Sequence, residues 1–343
     1  MGAGTFEAKF NPLVQMDLIK QIIVLRKEAG PSIPKLTYRV LPKVCKNPIS
    51  NMLITPILLA FTVWKSKADL ILAYHYVPHF YIAFFASKLT GKPYVLGQTG
   101  SDDQLLAKKP IKGWFLRLVI NNALQMNVPG KSSLRIWHSL GFNNVKVLHS
   151  TVDTSFYTPA QEQKIYDFVY TGRLEDYKGV DLMIEAASEV KKAIPEFKFA
   201  IVGYGSERQK YEARVRELGL TDNVYFMGYQ RDVRQWLYKS RIFVMASDCE
   251  GLPCAMMEAM SCGMICMTSI VGNIGDLIIE GETGFGFAPR DKQRMVELMI
   301  WLYHREADLK SVRERARELI IREHSFQIAQ ALWTDVINRI VTE

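Results

Sequence analysis

Cysteine and long apolar runs are both scarce in this sequence, and their scarcity narrows the class of protein. Only five of the 343 residues are cysteines, and no two of them form a CxxC pair. A disulfide framework and a structural zinc site are therefore both disfavoured, and we expect reduced, buried thiols. No stretch reaches the roughly 18 apolar residues of a membrane span, since the nearest, 52–64, is too short and contains Pro56. No signal peptide is evident either, which predicts a cytoplasmic protein.

Acidic residues are few in the first half of the chain. Residues 1–155 hold 19 Lys and Arg against 7 Asp and Glu, a balance of +12, whereas the remainder holds 24 against 28, or −4. The first half is therefore expected to meet an anionic partner, such as the inner face of a membrane, an anionic acceptor or nucleic acid. The basic segment 108–119 has an apolar face, as in helices on anionic membranes, and an ordinary packed helix fits it equally. Nucleic acid is disfavoured because no module of stacking aromatic and basic residues is apparent.

Short apolar runs alternate with helical patterns along the whole chain. In the first half, strands are predicted over 36–41, 69–74, 94–97, 125–128 and 145–148, and Asn47-Pro48 predicts the start of a helix that runs to about Lys65. In the second half, they are predicted over 168–172, 197–202, 224–227, 242–245, 265–268 and 284–287. This alternation predicts parallel βαβ units and an α/β fold.

The start of the chain departs from the usual pattern of a Rossmann-like domain. Residues 13–27 have the apolar periodicity of a helix, and a glycine loop that includes Gly4 comes before them. A hydrophobic strand normally precedes such a loop and helix. Because none is present, we expect either a truncated N-terminus or a first domain that lacks its first strand.

The stretch 246–263 carries the strongest chemical signal. It follows the predicted strand 242–245 and runs into a helix that is expected to begin at Pro253, because proline is favoured at the first helical position. The amides of Cys254 and Ala255 then have no partner inside the helix, and the positive end of the helix dipole lies behind them. Such a helix start suits a phosphate or a polyhydroxyl group.

Four charged side chains are candidates for chemistry at the predicted sheet edge. Glu250 lies in the loop before this helix and Glu258 inside it, so both carboxylates can line one cleft. Arg173 and Lys178 flank the loop after an earlier strand, and ligands of open α/β sheets bind at the carboxyl ends of the strands. A forked guanidinium and a point ammonium can grip a diphosphate together. On the residues alone, two solvated basic side chains in a loop are an equal alternative.

Two motifs in the second half resemble the donor site of glycosyltransferase family 4, retaining enzymes of the GT-B fold. Glu-Gly-Leu-Pro at 250–253, followed by Glu-Ala-Met-x-Cys-Gly at 258–263, fits one motif, and residues 172–179 fit Gly-Arg-Leu-x-x-x-Lys-Gly. The resemblance implies two Rossmann-like domains that face each other across a cleft. The acceptor-binding domain would span 1–160 and the nucleotide-sugar domain 161–324, with a closing helix at 325–343 that packs back on the first domain.

The resemblance also implies roles for individual residues. Glu250 would contact the sugar near the reacting centre, while Arg173 and Lys178 would neutralise the leaving diphosphate, so these three are the catalytic candidates. The donor-binding candidates are Gly203, Gly205, Tyr229, Gly251, Leu252, Pro253, Cys254, Ala255 and Glu258, the last of them on the ribose hydroxyls. The acceptor-side candidates are Gly4, Gly100, Ser101 and Asp102, with Thr99 at a position where the family often has histidine.

The implied reaction moves a hexose from a UDP- or GDP-sugar to an acceptor hydroxyl with retention of configuration. No metal cofactor is expected, because Asp102-Asp103 is not a DxD motif and no other ligand cluster is apparent. The acceptor would be a saccharide or a lipid-linked intermediate of polysaccharide or glycolipid biosynthesis. Two alternatives stay open: a GT-B epimerase or hydrolase of sugar nucleotides, and a non-catalytic protein that binds nucleotide sugars.

Overall fold

The chain divides into two units. The computed structural model describes residues 3–75, 78–99 and 110–342. One unit comprises Met1–Thr151 with Phe326–Glu343, and the other comprises Val152–Ser325. The boundary therefore lies earlier than the predicted one at residue 160. Tyr157 explains the difference, because it packs against the core of the second unit and its carbonyl accepts a hydrogen bond from the Ser261 hydroxyl at 2.6 Å.

The first unit contains a four-stranded parallel sheet of order β3-β4-β5-β6 and a separate parallel pair, β1-β2. Its elements are α1 (Ala3–Val14), β1 (Ile22–Arg26), β2 (Leu36–Val40), α2 (Pro48–Ser66), β3 (Ile71–Tyr74), α3 (His79–Thr90), β4 (Tyr94–Gly97), α4 (Pro110–Asn121), β5 (Gln125–Val128), α5 (Lys131–Ser139) and β6 (Val145–Val147). Strands β2 to β6 coincide with predicted strands or lie inside them.

The prediction of a helix over 13–27 is wrong. Helix α1 ends at Val14, and residues 22–26 form β1, which pairs in parallel with β2 from Ile22 opposite Leu36 to Arg26 opposite Val40. The β-branched run at the start of β1 favours an extended backbone, and this preference together with the pairing outweighs the helical spacing. Gly4 lies within α1 rather than in a glycine loop.

The closing helix α12 (Phe326–Thr342) belongs to the first unit. Its Trp333 and Val336 are buried in one cluster with Phe6 and Phe10 of α1. The side-chain amide of Gln330 donates to the Pro12 carbonyl at 3.2 Å. The two ends of the chain thus share one small core.

The second unit is built on a six-stranded parallel sheet of order β12-β11-β10-β7-β8-β9. Its elements are β7 (Tyr166–Thr171), α6 (Val180–Ala193), β8 (Phe199–Val202), α7 (Arg208–Glu217), β9 (Val224–Gly228), α8 (Arg234–Tyr238), β10 (Ser240–Met245), α9 (Cys254–Ser261), β11 (Ile265–Ser269), β12 (Phe285–Phe287), α10 (Lys292–Arg305) and α11 (Lys310–His324). Strands β8, β10 and β11 are almost entirely buried, which explains why they read as continuous apolar runs in the sequence. The predicted α/β class with parallel sheets is confirmed.

Candidate active site

All six strands of the second sheet run parallel, so the loops that follow them lie along one edge. The chain crosses from β7 to β8 and β9 on one side, and from β10 to β11 and β12 on the other. The direction reverses between the neighbouring strands β7 and β10, and ligands of open α/β sheets bind at such a point. The loops after these two strands carry all three predicted catalytic residues.

Glu250 and Lys178 meet at this point. The Lys178 ammonium donates to Oε1 of Glu250 at 2.5 Å, and the Ser247 hydroxyl donates to the same oxygen at 2.9 Å. Only 15% of the Lys178 side chain and 11% of the Glu250 side chain are exposed. The site therefore holds a carboxylate and an ammonium in fixed contact. The sequence predicted each of them separately, whereas their direct contact is a finding of the structure.

The side chain of Arg173 contacts Tyr177. The guanidinium lies over the Tyr177 ring, 5.5 Å from its centroid, and donates to the hydroxyl of that tyrosine. The ammonium of Lys178 lies 5.2 Å from the same centroid. Tyr177 thus sits beside both basic residues, and sequence reasoning missed it because it occupies a variable position of the Gly-Arg-Leu-x-x-x-Lys-Gly pattern.

Gly203 and Gly205 bring the loop after β8 against the loop after β7. A Cβ on Gly203 would lie 1.7 Å from the carbonyl oxygen of Gly172, and one on Gly205 would lie 2.1 Å from that of Leu174. Any larger residue would clash with backbone rather than with a flexible side chain. The close packing of the two loops therefore requires glycine at these two predicted donor-binding positions, and this packing sets the shape of the sheet edge.

Helix α9 begins at Cys254, and Pro253 is the residue before it, with an extended backbone of φ −75° and ψ 122°. The predicted helix start at Pro253 is therefore slightly early. The first turn, which includes Ala255, still places the positive end of the helix dipole at the carboxyl edge of the sheet. Leu252 is buried in the core of the unit, so its side chain anchors the loop and only its backbone faces the edge.

The turn after β11 packs against the backbone of the loop that carries Glu250. Gly272 has a φ of +59°, and a Cβ there would lie 1.9 Å from the Glu250 carbonyl oxygen. The backbone and side-chain amides of Asn273 donate to the Gly251 carbonyl at 3.0 and 3.1 Å. The turn therefore fixes the path of the backbone on which the Glu250 carboxylate is mounted.

Glu258 is partly buried on α9 and hydrogen-bonds with the Tyr157 hydroxyl. Burial raises the pKa of Glu258 to about 7, and the bond from Tyr157 opposes this effect only in part. Sequence reasoning did not find Tyr157, which precedes the second sheet and reaches α9 only through the fold. Near neutral pH, this carboxyl is therefore poised between its charged and uncharged forms.

Replacing Glu258 by Gln should stabilise the protein in alkaline buffer and not in acid. The pKa of Glu258 is about 7 in the folded protein, against 4.5 for an ordinary glutamate. The buried, protonated form of Glu258 contributes to the free energy of unfolding. This contribution is fully present below the pKa of the unfolded state and is lost as the pH rises through the pKa of the folded state. We expect Glu258→Gln to gain about 2–3 kcal/mol in free energy of unfolding at about pH 8 relative to about pH 5, measured by urea unfolding. The exposed Glu282→Gln variant is the control, and an equal effect of Glu258→Gln at both pH values would contradict the raised pKa.

Tyr229 follows β9 at the far side of the edge and is paired with Tyr204. Their rings meet edge to face with centroids 5.4 Å apart, and both side chains are more than half exposed. Tyr204 lies between Gly203 and Gly205, so the glycine turn also presents an aromatic face that sequence reasoning did not single out. Exposed rings of this kind can stack on a planar group.

In the first unit, His75 and Thr99 meet at the carboxyl ends of β3 and β4. Their Nδ1 and Oγ1 atoms are 2.5 Å apart, and His75 has a left-handed backbone with φ +66°. Burial is the main cause that lowers the pKa of His75 to about 4, so its ring is neutral near neutral pH. Thr99 thus stands where the resembling family often has histidine, and it holds the imidazole of a histidine from the neighbouring strand.

The structure tests only part of the remaining predictions. Gly100, Ser101 and Asp102 lie outside the described residues, as do Lys108 and Lys109 of the basic segment. Among the residues that the structure does describe, no three His, Cys, Asp or Glu side chains cluster so that they could hold a metal ion. None of the five cysteines, all within the described residues, forms a disulfide, but Cys249 is exposed and Cys254 only partly buried, so the expectation that all five are buried is wrong.

Known proteins resemble the second unit in particular. Residues 155–319 match the profile of the family described as glycosyl transferases group 1. The chain is 23% identical over 273 residues to N-acetyl-alpha-D-glucosaminyl L-malate synthase of Bacillus anthracis, which covers 76% of the chain and 71% of that protein. It is 28% identical over 176 residues to the amylovoran biosynthesis glycosyltransferase AmsK of Erwinia amylovora, 49% of the chain and 43% of that protein.

Solved structures show a likeness in fold over nearly the whole chain. A glycosyltransferase from Rickettsia africae superposes with a TM-score of 0.81 at 16% identity, covering 98% of the chain and 94% of that protein. HepE from Anabaena, solved with UDP-glucose, gives 0.78 at 16% identity over 100% and 97%. At these identities the likeness shows the fold, and the predicted GT-B fold with two Rossmann-like domains is confirmed. Together the comparisons support a glycosyltransferase.

Proposed function

We propose that the protein transfers a hexose from a nucleotide diphosphate donor to an acceptor hydroxyl, with retention of configuration and without a metal ion. The observation that carries this proposal is the contact between Lys178 and Glu250 at the reversal point of the second sheet. It combines a positive group for a leaving diphosphate with a negative group for a sugar ring that becomes positive. The match to the group 1 glycosyl transferases covers the same loops.

Each charge at this edge has a place in such a transfer. As the bond to the sugar breaks, negative charge grows on the diphosphate, where Lys178, Arg173 and the positive end of α9 would stabilise it. Positive charge develops on the ring, which the Glu250 carboxylate would face. Fixed groups of this kind lose little energy to reorganisation during the reaction. Lys178 and Arg173 would thereby supply the charge that a divalent ion supplies in other transferases.

The remaining donor-site residues fit the rest of a nucleotide. The Glu258 carboxylate would accept hydrogen bonds from the ribose hydroxyls, and the exposed pair Tyr204 and Tyr229 would flank the base. HepE binds UDP-glucose, so we favour a UDP-sugar over a GDP-sugar. AmsK is named for amylovoran biosynthesis, which favours a saccharide or lipid-linked acceptor in polysaccharide or glycolipid biosynthesis. We place this reaction in the cytoplasm, at the inner face of the membrane.

The acceptor side would lie in the first unit, with His75 as its best described candidate. Its neutral ring is held by Thr99 at the end of a strand, in a backbone conformation that non-glycine residues rarely adopt. Such strain persists where the surrounding structure imposes it, and it is concentrated at functional sites. Gly100, Ser101 and Asp102 remain predictions for the same side.

A transfer assay tests the proposal. The purified protein is incubated with UDP- and GDP-sugars, with and without saccharide and polyprenyl-phosphate acceptors, and products are followed by mass spectrometry and NMR. We expect loss of the donor to require an acceptor and the product to keep the anomeric configuration of the donor. Loss of the donor without any acceptor would instead indicate the epimerase or hydrolase. Nucleotide binding without any turnover would indicate the non-catalytic binder.

A further inference from the structure

Helix α2 exposes a row of large apolar residues, while several of its polar residues are buried. The buried side chains of this helix include Asn51, Thr55 and Thr62, each no more than 8% exposed, together with Pro56 and Val63. Its exposed large apolar side chains include Ile49 at 73%, Leu53 at 67%, Ile57 at 63%, Phe61 at 51% and Trp64 at 75%. A helix on the surface of a soluble domain shows the opposite arrangement, with its apolar stripe toward the core. The sequence prediction of a helix is confirmed here, but its orientation is the reverse of what its composition leads one to expect.

The buried polar side chains of α2 have hydrogen-bond partners within the helix, and one of them also bonds to a residue outside it. The Thr55 hydroxyl donates to the side-chain oxygen of Asn51 at 2.6 Å. The Thr62 hydroxyl donates to the Leu58 carbonyl at 2.7 Å and accepts from the Arg39 guanidinium at 3.3 Å. Rotating the helix to bury its apolar face would move these polar residues to the surface and break the bond between Thr62 and Arg39. The packing of the polar residues therefore keeps the apolar face exposed.

The exposed residues form one stripe. Positions 49, 53, 57, 61 and 64 are spaced by four, four, four and three residues, and such spacing puts side chains on a single helix face. The neighbouring helix α3 adds Phe85, 41% exposed, and Leu89, 63% exposed. Single exposed apolar residues are ordinary, but a contiguous apolar surface marks an interaction site.

The surroundings of the stripe are basic. From residue 29 to residue 101 the sequence has eight Lys and Arg and a single acidic residue, Asp69. Exposed lysines stand close to both ends of the helix, Lys43 before it and Lys65 and Lys67 at its end. An apolar face with lysines at its ends is complementary to an anionic bilayer, because the apolar side chains can enter the acyl chains and the anionic headgroups attract the lysines. Trp64 at the end of the stripe is a residue type that concentrates at membrane interfaces.

The helix fits the surface of a bilayer better than its interior. By length and composition alone, α2 with its 19 residues could cross a membrane, and it has one charged residue, Lys65. This corrects the expectation that no segment is long and apolar enough. However, α2 is packed against α3 and its buried face carries the hydrogen-bonded polar residues described above. A helix held in this way can lie in the interface with one face immersed.

We propose that α2 is a membrane-docking helix that lies in the interfacial layer of an anionic bilayer, with Leu53, Ile57 and Phe61 among the acyl chains. The polarity of the helix and the charge around it support this docking, which does not depend on the reaction proposed above. It places the membrane contact on α2 rather than on the segment 108–119. A bilayer is favoured over a protein groove because the whole surrounding segment is basic.

Vesicle flotation tests the proposal with the intact protein. We expect the protein to float with vesicles of phosphatidylcholine and phosphatidylglycerol, and much less with phosphatidylcholine alone. The double variant Leu53→Gln with Ile57→Gln should lower the binding constant at least about tenfold, because two apolar side chains no longer enter the acyl region. The control variant Ile279→Gln with Ile321→Gln replaces two exposed apolar residues of the second unit and should bind like the parent. Thermal unfolding of each variant verifies its fold.

Quenching of tryptophan fluorescence by labelled acyl chains distinguishes insertion of the helix from electrostatic adsorption, because adsorption alone would leave Trp64 outside the acyl region. Bromine-labelled acyl chains should quench part of the tryptophan fluorescence of the parent protein, and Trp64→Phe should remove that quenched part. Equal vesicle binding by the Leu53→Gln, Ile57→Gln variant would overturn the proposal, since the attachment would then lie elsewhere. Absence of vesicle binding, with self-association of the protein that the same variant abolishes, would overturn it too and would identify a second copy of the chain as the occupant.

Discussion

Glu250→Gln is expected to lower the rate of sugar transfer by about 100-fold or more, the scale seen when a preorganised electrostatic group is removed. The substitution removes the negative charge that would face the positive sugar ring. It keeps an oxygen that can accept from Lys178 and Ser247, which both bond to the carboxylate in the structure. The melting temperature should therefore change little. Initial rates of product formation at saturating donor measure the effect.

Glu282→Gln is the matched control for this experiment. Glu282 is exposed and precedes β12, at the edge of the sheet opposite to the site. Its rate should equal that of the parent protein. A Glu250→Gln protein that is folded and turns over at a near-normal rate would remove Glu250 from the mechanism. Glu250→Ala is a less clean test, because it leaves the buried ammonium of Lys178 without its partner.

Lys178→Ala is expected to have two effects that can be separated. Transfer should fall by about 100-fold or more, because the ammonium would stabilise the leaving diphosphate. The free energy of unfolding should also fall, by about 1–3 kcal/mol, because Glu250 is left with an unpaired charge at 11% exposure. Stopped-time transfer assays measure the first effect, and urea unfolding measures the second.

The double variant Lys178→Ala with Glu250→Gln tests whether the loss of stability in Lys178→Ala comes from the unpaired Glu250 carboxylate. The Gln removes the unpaired charge, so stability should return toward that of the parent protein, and the two substitutions should be non-additive in unfolding. Stability that stayed at the level of Lys178→Ala would contradict the pairing of the two charges as the cause.

The sheets of this protein could be predicted because their strands read as short apolar runs, and the central ones, such as β4, β8 and β11, are buried on both faces. Strand β1 could not, since Ile22 and its neighbours fit a helical spacing, and only pairing with the strand at Leu36 selects the extended form. Helix α2 was predicted from the Asn47 cap, whose side chain does accept from the Ile49 amide. Its exposed face could not be predicted, because apolar residues such as Leu53 are expected to be buried.

The residues of the candidate site could be predicted from the sequence, but the contacts between them could not. Glu250 and Lys178 stand in recognisable motifs, but their contact joins loops that only the reversal of strand order brings together. Arg173 and Lys178 were expected to act together, and the fold places both of them beside the ring of Tyr177, which no motif singled out. Partners such as Tyr157 lack a motif altogether, since their role depends on packing over long sequence separations.

A thermal-shift panel with UDP, GDP, ADP and their sugars shows whether the edge around Glu250 and Lys178 binds a nucleotide diphosphate. Ligand at about 100 times its dissociation constant should add roughly 2.7 kcal/mol of stability. We expect one nucleotide class, with UDP favoured, to raise the melting temperature of the parent protein and to raise that of Lys178→Ala much less. A folded protein whose melting temperature rises with none of these ligands would contradict nucleotide binding at this edge.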